Sequence, residues 1–165
     1  MQIEVAEVGS PIGDVLVACH QRAVVALRFS DQDGEIAPLL QRRFPGYGIA
    51  VGADDAAARL RDYFTGDLNA LDGLAVDTGG TPFQQSVWEQ LRRVPAGRTA
   101  SYREIAMAIG APTATRAVGA ANGANPIGII IPCHRVIGAN GMLTGYGGGL
   151  DRKRWLLQHE GAMFG

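Results

Sequence analysis

The sequence predicts an α+β protein, with an amino-terminal antiparallel β-sheet carrying helices and a largely helical carboxy-terminal half. Three observations predict it. Runs rich in β-branched residues crowd the first stretch of the chain. Helix-start signals recur from Thr81 onward. Between them residues 68–81 are turn-rich, with Gly73, Gly79 and Gly80, and we place a domain boundary there. That gives residues 1–78 as an α/β domain and 79–165 as a helical one.

Taken in order, residues 3–8, 15–19 and 24–29 read as strands separated by turn residues. Residues 35–44 and 54–64 read as helices, with Asp54 as cap of the second and Gly66 just past its end. Ala57, Leu60, Tyr63 and Phe64 recur at helical spacing, a face suited to a core. Thr81-Pro82 pairs an N-cap with proline at the first helical position, and Phe83, Val87, Leu91 and Val94 form an apolar stripe. Ser101 with Glu104 three residues on is a capping box that opens a helix to about Ile109. Gly110-Ala111-Pro112 breaks it, and Thr113 is placed to cap the next, from Ala114 to about Asn122. Two short helices across a glycine-containing turn make a helix-turn-helix, a geometry shared by αα-hairpins that bind no DNA. The second helix is almost bare: Ala114, Ala117, Gly119, Ala120 and Ala121 leave Arg116 as its main long cation.

Charge separates the halves. Residues 1–81 hold 6 Arg/Lys against 12 Asp/Glu, and residues 82–165 hold 9 against 4. A basic half attracts polyanions. No apolar stretch approaches the ~20 residues a membrane helix needs, and no signal peptide is visible. The two cysteines, Cys19 and Cys133, give neither a disulfide framework nor zinc spacing, so a reducing cytoplasm is expected and no metal site. Cys19 lies in a strand pattern and reads as a core thiol.

The run Ile131-Pro132-Cys133-His134-Arg135-Val136 puts a thiol beside an imidazole. A thiol attacks as thiolate and titrates near ~8.5 when unperturbed. A neighbouring histidine is a common activator, although cysteine is often only a small core residue. Together with Arg116-Ala117-Val118-Gly119, Asn125-Pro126, Gly145-Tyr146-Gly147-Gly148 and His159-Glu160, this run resembles the O6-alkylguanine-DNA alkyltransferases, the methylated-DNA–protein-cysteine methyltransferases. The resemblance is dense from Phe83 to Glu160 and continues loosely to Ser10-Pro11-Ile12-Gly13.

The resemblance implies a ribonuclease H-like amino-terminal domain and a winged helix-turn-helix in the second. It implies irreversible, stoichiometric transfer of an alkyl group from O6 of guanine, and from O4 of thymine, to Cys133. His134 would take the thiol proton through a bridging water, and Glu160 would orient the imidazole. The helix-turn-helix would enter the minor groove, where close approach matters and sequence readout is poor. The target base must be flipped out. Arg116 would fill the gap, and Tyr102 would rotate the phosphate and protonate the leaving base. Arg103, Ala117, Gly119 and Gln84 would also face DNA. Asn125 would be a hinge tying the helix pair to the active-site turn. Tyr146, Gly147, Gly148 and Val136 would wall the base pocket, and Arg135 is a structural or phosphate-contacting cation rather than a catalyst. The implied partner is double-stranded DNA carrying O6-alkylguanine. No cofactor or obligate protein partner is implied, and a monomer on a bacterial nucleoid is expected.

Two other classes compete. A thiol hydrolase would place cysteine and histidine far apart in sequence. An alkylguanine-binding helix-turn-helix protein without catalysis would lack the cysteine, which is present here.

Overall fold

In a computed structural model the chain divides into two compact units, Met1–Gly79 and one that begins at Gly80. The structure describes residues 1–163, apart from the side chains of 33–35. The first unit runs β1 (Gln2–Val8), β2 (Val15–His20), β3 (Ala23–Phe29), a 3-10 turn (Ser30–Gln32), α1 (Asp33–Arg43), β4 (Gly48–Val51) and α2 (Asp54–Phe64). The second runs α3 (Pro82–Leu91), β5 (Ala100–Ser101), α4 (Tyr102–Ala108), α5 (Thr115–Gly123), a 3-10 turn (Cys133–Arg135), β6 (Val136–Ile137) and α6 (Leu150–His159).

The sequence predicts an antiparallel sheet of three strands; the structure has a mixed sheet of four, in the order β3-β2-β1-β4. β1, β2 and β3 are antiparallel neighbours, but β4 lies parallel to β1 with Ile49 opposite Ile3. A parallel partner needs a long crossover, and α1 lies on the path that returns the chain to the far side of β1. Residues 48–51 form too short a run to announce this in sequence. Ile3, Ala18, Val25 and Ala26 of the sheet pack with Ile36, Leu39, Leu40 and Phe44 in one core. Ala57, Leu60, Tyr63 and Phe64 of α2 are buried, as their spacing requires, and so is Cys19.

Two helix caps differ from expectation. α2 is preceded by Ala53 in a left-handed conformation with no side-chain cap bond, and Asp54 is its first helical residue. Asp54 and Asp55 therefore act through charge on the positive end of the helix rather than as a cap. α5 starts after Ala114, also without a side-chain cap, because a backbone bond from Ala114 N to Ala111 O (2.9 Å) closes the preceding turn past Thr113.

The capping boxes of α3 and α4 are formed in full. Gln84 N donates to Thr81 Oγ1 at 3.1 Å and Thr81 N to Gln84 Oε1 at 3.0 Å. Glu104 N donates to Ser101 Oγ and Ser101 N to Glu104 Oε1, both at 3.0 Å. α4 ends in a left-handed Gly110 with Gly110 N on Met107 O and Ala111 N on Ala106 O, the paired bonds of a Schellman stop. Val94, the last residue of the predicted stripe, lies beyond the end of α3 but is still buried. The buried indole of Trp88 donates to Ala121 O at 2.8 Å, fixing α3 against α5.

Candidate active site

Cys133 is set by a chain of tight turns that begins at the end of α5. Asn125 Oδ1 accepts from Ile127 N at 3.0 Å, and its Nδ2 donates to Ile131 O at 2.8 Å. Between these anchors Ile130 N reaches Gly128 O at 2.7 Å around Ile129, whose φ is +68°. A β-branched residue in that region is strained by roughly 1–3 kcal/mol, and the strain persists only where packing over-determines it. Ile129 is 2% exposed, so packing does hold it. Cys133 N then donates to Ile131 O at 2.8 Å around Pro132, whose φ of −81° and ψ of 64° make an inverse γ-turn. One carbonyl, that of Ile131, thus takes bonds from both Asn125 and Cys133.

β6 follows directly on the 3-10 turn of Cys133–Arg135 and pairs in parallel with β5, Ala100 opposite Val136 and Ser101 opposite Ile137. That pairing brings the start of α4, with Tyr102, beside the cysteine segment.

Cys133 is 8% exposed and His134 fully buried. His134 Nε2 lies 2.9 Å from Glu160 Oε2. Glu160, at the C-cap of α6, also accepts from Arg135 Nε (2.8 Å to Oε1) and Arg135 Nη2 (3.0 Å to Oε2). Arg135 Nη1 donates to Val94 O at 2.6 Å, so this guanidinium is committed to structure. Burial opposes charge on Glu160, but the hydrogen bonds from His134 and Arg135 and the positive charge beside it outweigh that and hold the carboxyl well below the usual carboxylate range. Burial pushes His134 the other way, below its usual value, against the pull of Glu160. An ionised Glu160 and a fully cationic His134 are not both needed, because Arg135 supplies the countercharge. Burial favours the neutral imidazole, and with Glu160 ionised the contact at Nε2 is an Nε2–H donated to the carboxylate. Its other nitrogen, Nδ1, is buried and accepts no bond from the described residues.

The remaining predicted residues fall around this centre. Tyr102 is half-buried, and its hydroxyl is 2.6 Å from Thr144 Oγ1. Arg103 is exposed on α4, and Arg116 and Ala117 are exposed on α5. Gly119 lies under the Tyr102 ring, where a Cβ would meet Cδ1 and Cε1 at 3.9 Å. Gln84 uses its carbonyl oxygen in the α3 capping box. Tyr146 stands edge-on to His134, with centroids 6.4 Å apart and planes at 81°. A Cβ on Gly147 would meet nothing within 4 Å. Gly148 lies in the same loop, and Val136 is fully buried. Among the described residues no group of His, Cys, Asp or Glu could hold a metal ion.

Sequence reasoning missed four residues. Lys153 is fully buried on α6 and donates to Val136 O (2.6 Å) and Thr144 O (3.1 Å). Burial pushes its ammonium down to about 8, opposed by the charge of Cys133. Asn122 is buried on α5 with Nδ2 3.5 Å from Cys133 O, and Ile129 and Thr144 are described above. A lysine two residues past Asp151 in a charged helix start gives no sign of burial in sequence.

Fold and site together define an α+β protein in which a buried cysteine–histidine–carboxylate group accompanies a short helix pair whose second helix, α5, is almost bare of long side chains. Residues 82–162 match the sequence model of the 6-O-methylguanine DNA methyltransferase DNA-binding domain. The chain is 45% identical to the methylated-DNA–protein-cysteine methyltransferase of Salmonella typhimurium, over 94% of each chain. It is 51% identical to that of Mycobacterium tuberculosis, over 93% of this chain and 89% of the relative. A crystal structure of Mycobacterium tuberculosis OGT in complex with DNA superposes with a TM-score of 0.82 and 44% identity, covering 98% of this chain and 94% of that one. The chain belongs to the methylated-DNA–protein-cysteine methyltransferase family.

Proposed function

We propose that this protein repairs O6-alkylguanine, and O4-alkylthymine, in duplex DNA by moving the alkyl group onto Cys133. The observation that carries this is the buried imidazole of His134, adjacent to Cys133 in sequence, with Nε2 fixed on Glu160 and Nδ1 left to accept a proton. The Cys133 thiol proton passes to Nδ1 through a water, because adjacent side chains diverge. The sulfur then displaces O6 from the alkyl carbon: the S–C bond forms, the C–O bond breaks, and its electron pair goes to the guanine. Tyr102 supplies a proton to the base ring. Lys153 adds positive charge near the thiolate. No step regenerates the thiol, so each molecule acts once.

The division of labour follows from where these residues lie. All of them fall within residues 79–165, the domain assigned to DNA binding and alkyl transfer, and residues 1–78 are structural. α4 and α5 act as the helix-turn-helix. The exposed small residues of α5 let its backbone approach the minor groove while Arg116 fills the space of the flipped base. Tyr146, Gly147 and Gly148 wall the base, and Asn125 is the hinge between α5 and the cysteine turn. Similarity to bacterial methylated-DNA–protein-cysteine methyltransferases supports a site of action in the cytoplasm on nucleoid DNA. Among the described residues no helix is long and apolar enough to cross a membrane.

The test uses duplex DNA with a labelled methyl on O6 of one guanine. Label should move to the unaltered protein, while the Cys133→Ala variant should bind the duplex and leave the label in place. Label lost from DNA in the presence of Cys133→Ala would refute the assignment.

A further inference from the structure

We propose that Thr144 is a positioning residue for the reaction, its hydroxyl aiming the Tyr102 phenol at the flipped base. The inference rests on the repair reading above and on Tyr102 as proton donor. Its basis is the way Thr144 is held from two sides. Lys153, fully buried on α6, donates to Thr144 O at 3.1 Å and to Val136 O at 2.6 Å, so one ammonium fixes the backbone of Thr144 to the strand that follows the cysteine turn. The side chain of Thr144 then reaches back to α4, where its Oγ1 lies 2.6 Å from the Tyr102 hydroxyl. Two residues further on, Tyr146 sets its ring edge-on to His134. Thr144 therefore joins three parts of the site: the start of α4, the buried lysine of α6 and the loop that walls the base.

A phenol is a weak acid, with a pKa near ~10, and a half-buried one turns about its own bonds unless something holds it. A threonine hydroxyl offers both a donor and an acceptor and rotates to suit. With Thr144 donating to the Tyr102 oxygen, the phenol proton is left to point at the base. After that proton moves to the guanine ring, the same Thr144 hydrogen stabilises the phenolate through a charge-assisted bond. Serine keeps this function; valine keeps the branched shape and loses it.

The experiment measures single-turnover methyl transfer with protein in excess over duplex carrying O6-methylguanine. It compares the unaltered protein with Thr144→Val, Thr144→Ser, Thr144→Ala, Tyr102→Phe and the Tyr102→Phe/Thr144→Val double variant. Loss of one such bond slows a step by about tenfold, the effect expected for Thr144→Val and Thr144→Ala. Thr144→Ser should stay near the unaltered rate. The double variant should be no slower than Tyr102→Phe alone, because both changes remove one function. Affinity for undamaged duplex and the melting curve should be unchanged in Thr144→Val, and Thr144→Ala gives the same reading should valine disturb packing. Unaltered rates in Thr144→Val and Thr144→Ala, a serine variant as slow as valine, or additive losses in the double variant would each overturn the inference. Absence of transfer by the unaltered protein would instead sink the repair reading, and this inference with it.

Discussion

Glu160 is held by three charge-assisted bonds on two oxygens, and replacing it with glutamine isolates what its charge does. Arg135 would then sit in the interior without its counterion. Breaking one side of a buried pair typically costs about 3–5 kcal/mol, so Glu160→Gln should unfold at markedly lower denaturant and transfer methyl more slowly. The pH dependence has a definite sign. A carboxyl held low in the folded state contributes fully above its unfolded value of ~4.3 and loses that contribution as pH falls below it. A histidine held low contributes fully above ~6.5 and loses it on acidification. Melting temperature should therefore fall as pH drops from neutral into the acid range, and a flat profile would contradict the arrangement. At this scale Cys133 and His134 are legible in sequence because the pair is contiguous. Arg135 reads as a structural or phosphate-contacting cation, and Glu160 and the Val94 carbonyl hold it in the first of those roles. The buried Lys153 and the strained turn at Ile129 are not legible, because the lysine is held by the carbonyls of Val136 and Thr144 and Ile129 by the packing around it.

Among the elements, α4 and α5 carry the DNA-facing predictions. Ser101 caps α4 one residue before Tyr102, so Ser101→Ala should remove about 1 kcal/mol of stability and loosen the turn that presents the phenol. Chemical denaturation and transfer rates, measured together, check both effects. On α5, Arg116→Ala should slow repair of duplex far more than reaction with free O6-benzylguanine, since only the duplex needs the gap filled. Equal losses on the two substrates would remove Arg116 from base flipping. The helices with side-chain capping boxes are those whose starts the sequence states outright, Thr81 for α3 and Ser101 for α4. α2 also begins where the sequence puts it, at Asp54, but the caps of α2 and α5 are backbone conformations at Ala53 and Ala114 rather than the side chains of Asp54 and Thr113. β4 is hidden for a related reason: its four residues become a strand only because β1 offers a parallel edge.

For the whole molecule, the charge split and the single cysteine acceptor make linked predictions. The carboxy-terminal half holds the excess of Arg and Lys, so binding to undamaged duplex should weaken steeply as salt rises. Methylation adds volume at Cys133, which is buried between the Asn125-anchored turn and α5. Overpacking such a site costs roughly 1–3 kcal/mol, enough to lower the melting temperature by a few degrees. The methylated product should melt earlier than the free protein and release DNA more readily; an unchanged melting curve would speak against a close-packed acceptor. The α+β class and the change of character after residue 80 are legible in the sequence, while the mixed sheet is not.

If Cys133 is the final acceptor, each molecule acts once. The direct measurement is a peptide mass spectrum of the protein after incubation with excess duplex carrying O6-methylguanine, alongside the count of methyl groups lost from the DNA. One methyl group per molecule is expected, located on the peptide containing Cys133, with loss from DNA ceasing at equivalence. A methyl group on any other residue, or more methyl groups removed than protein molecules present, would contradict it.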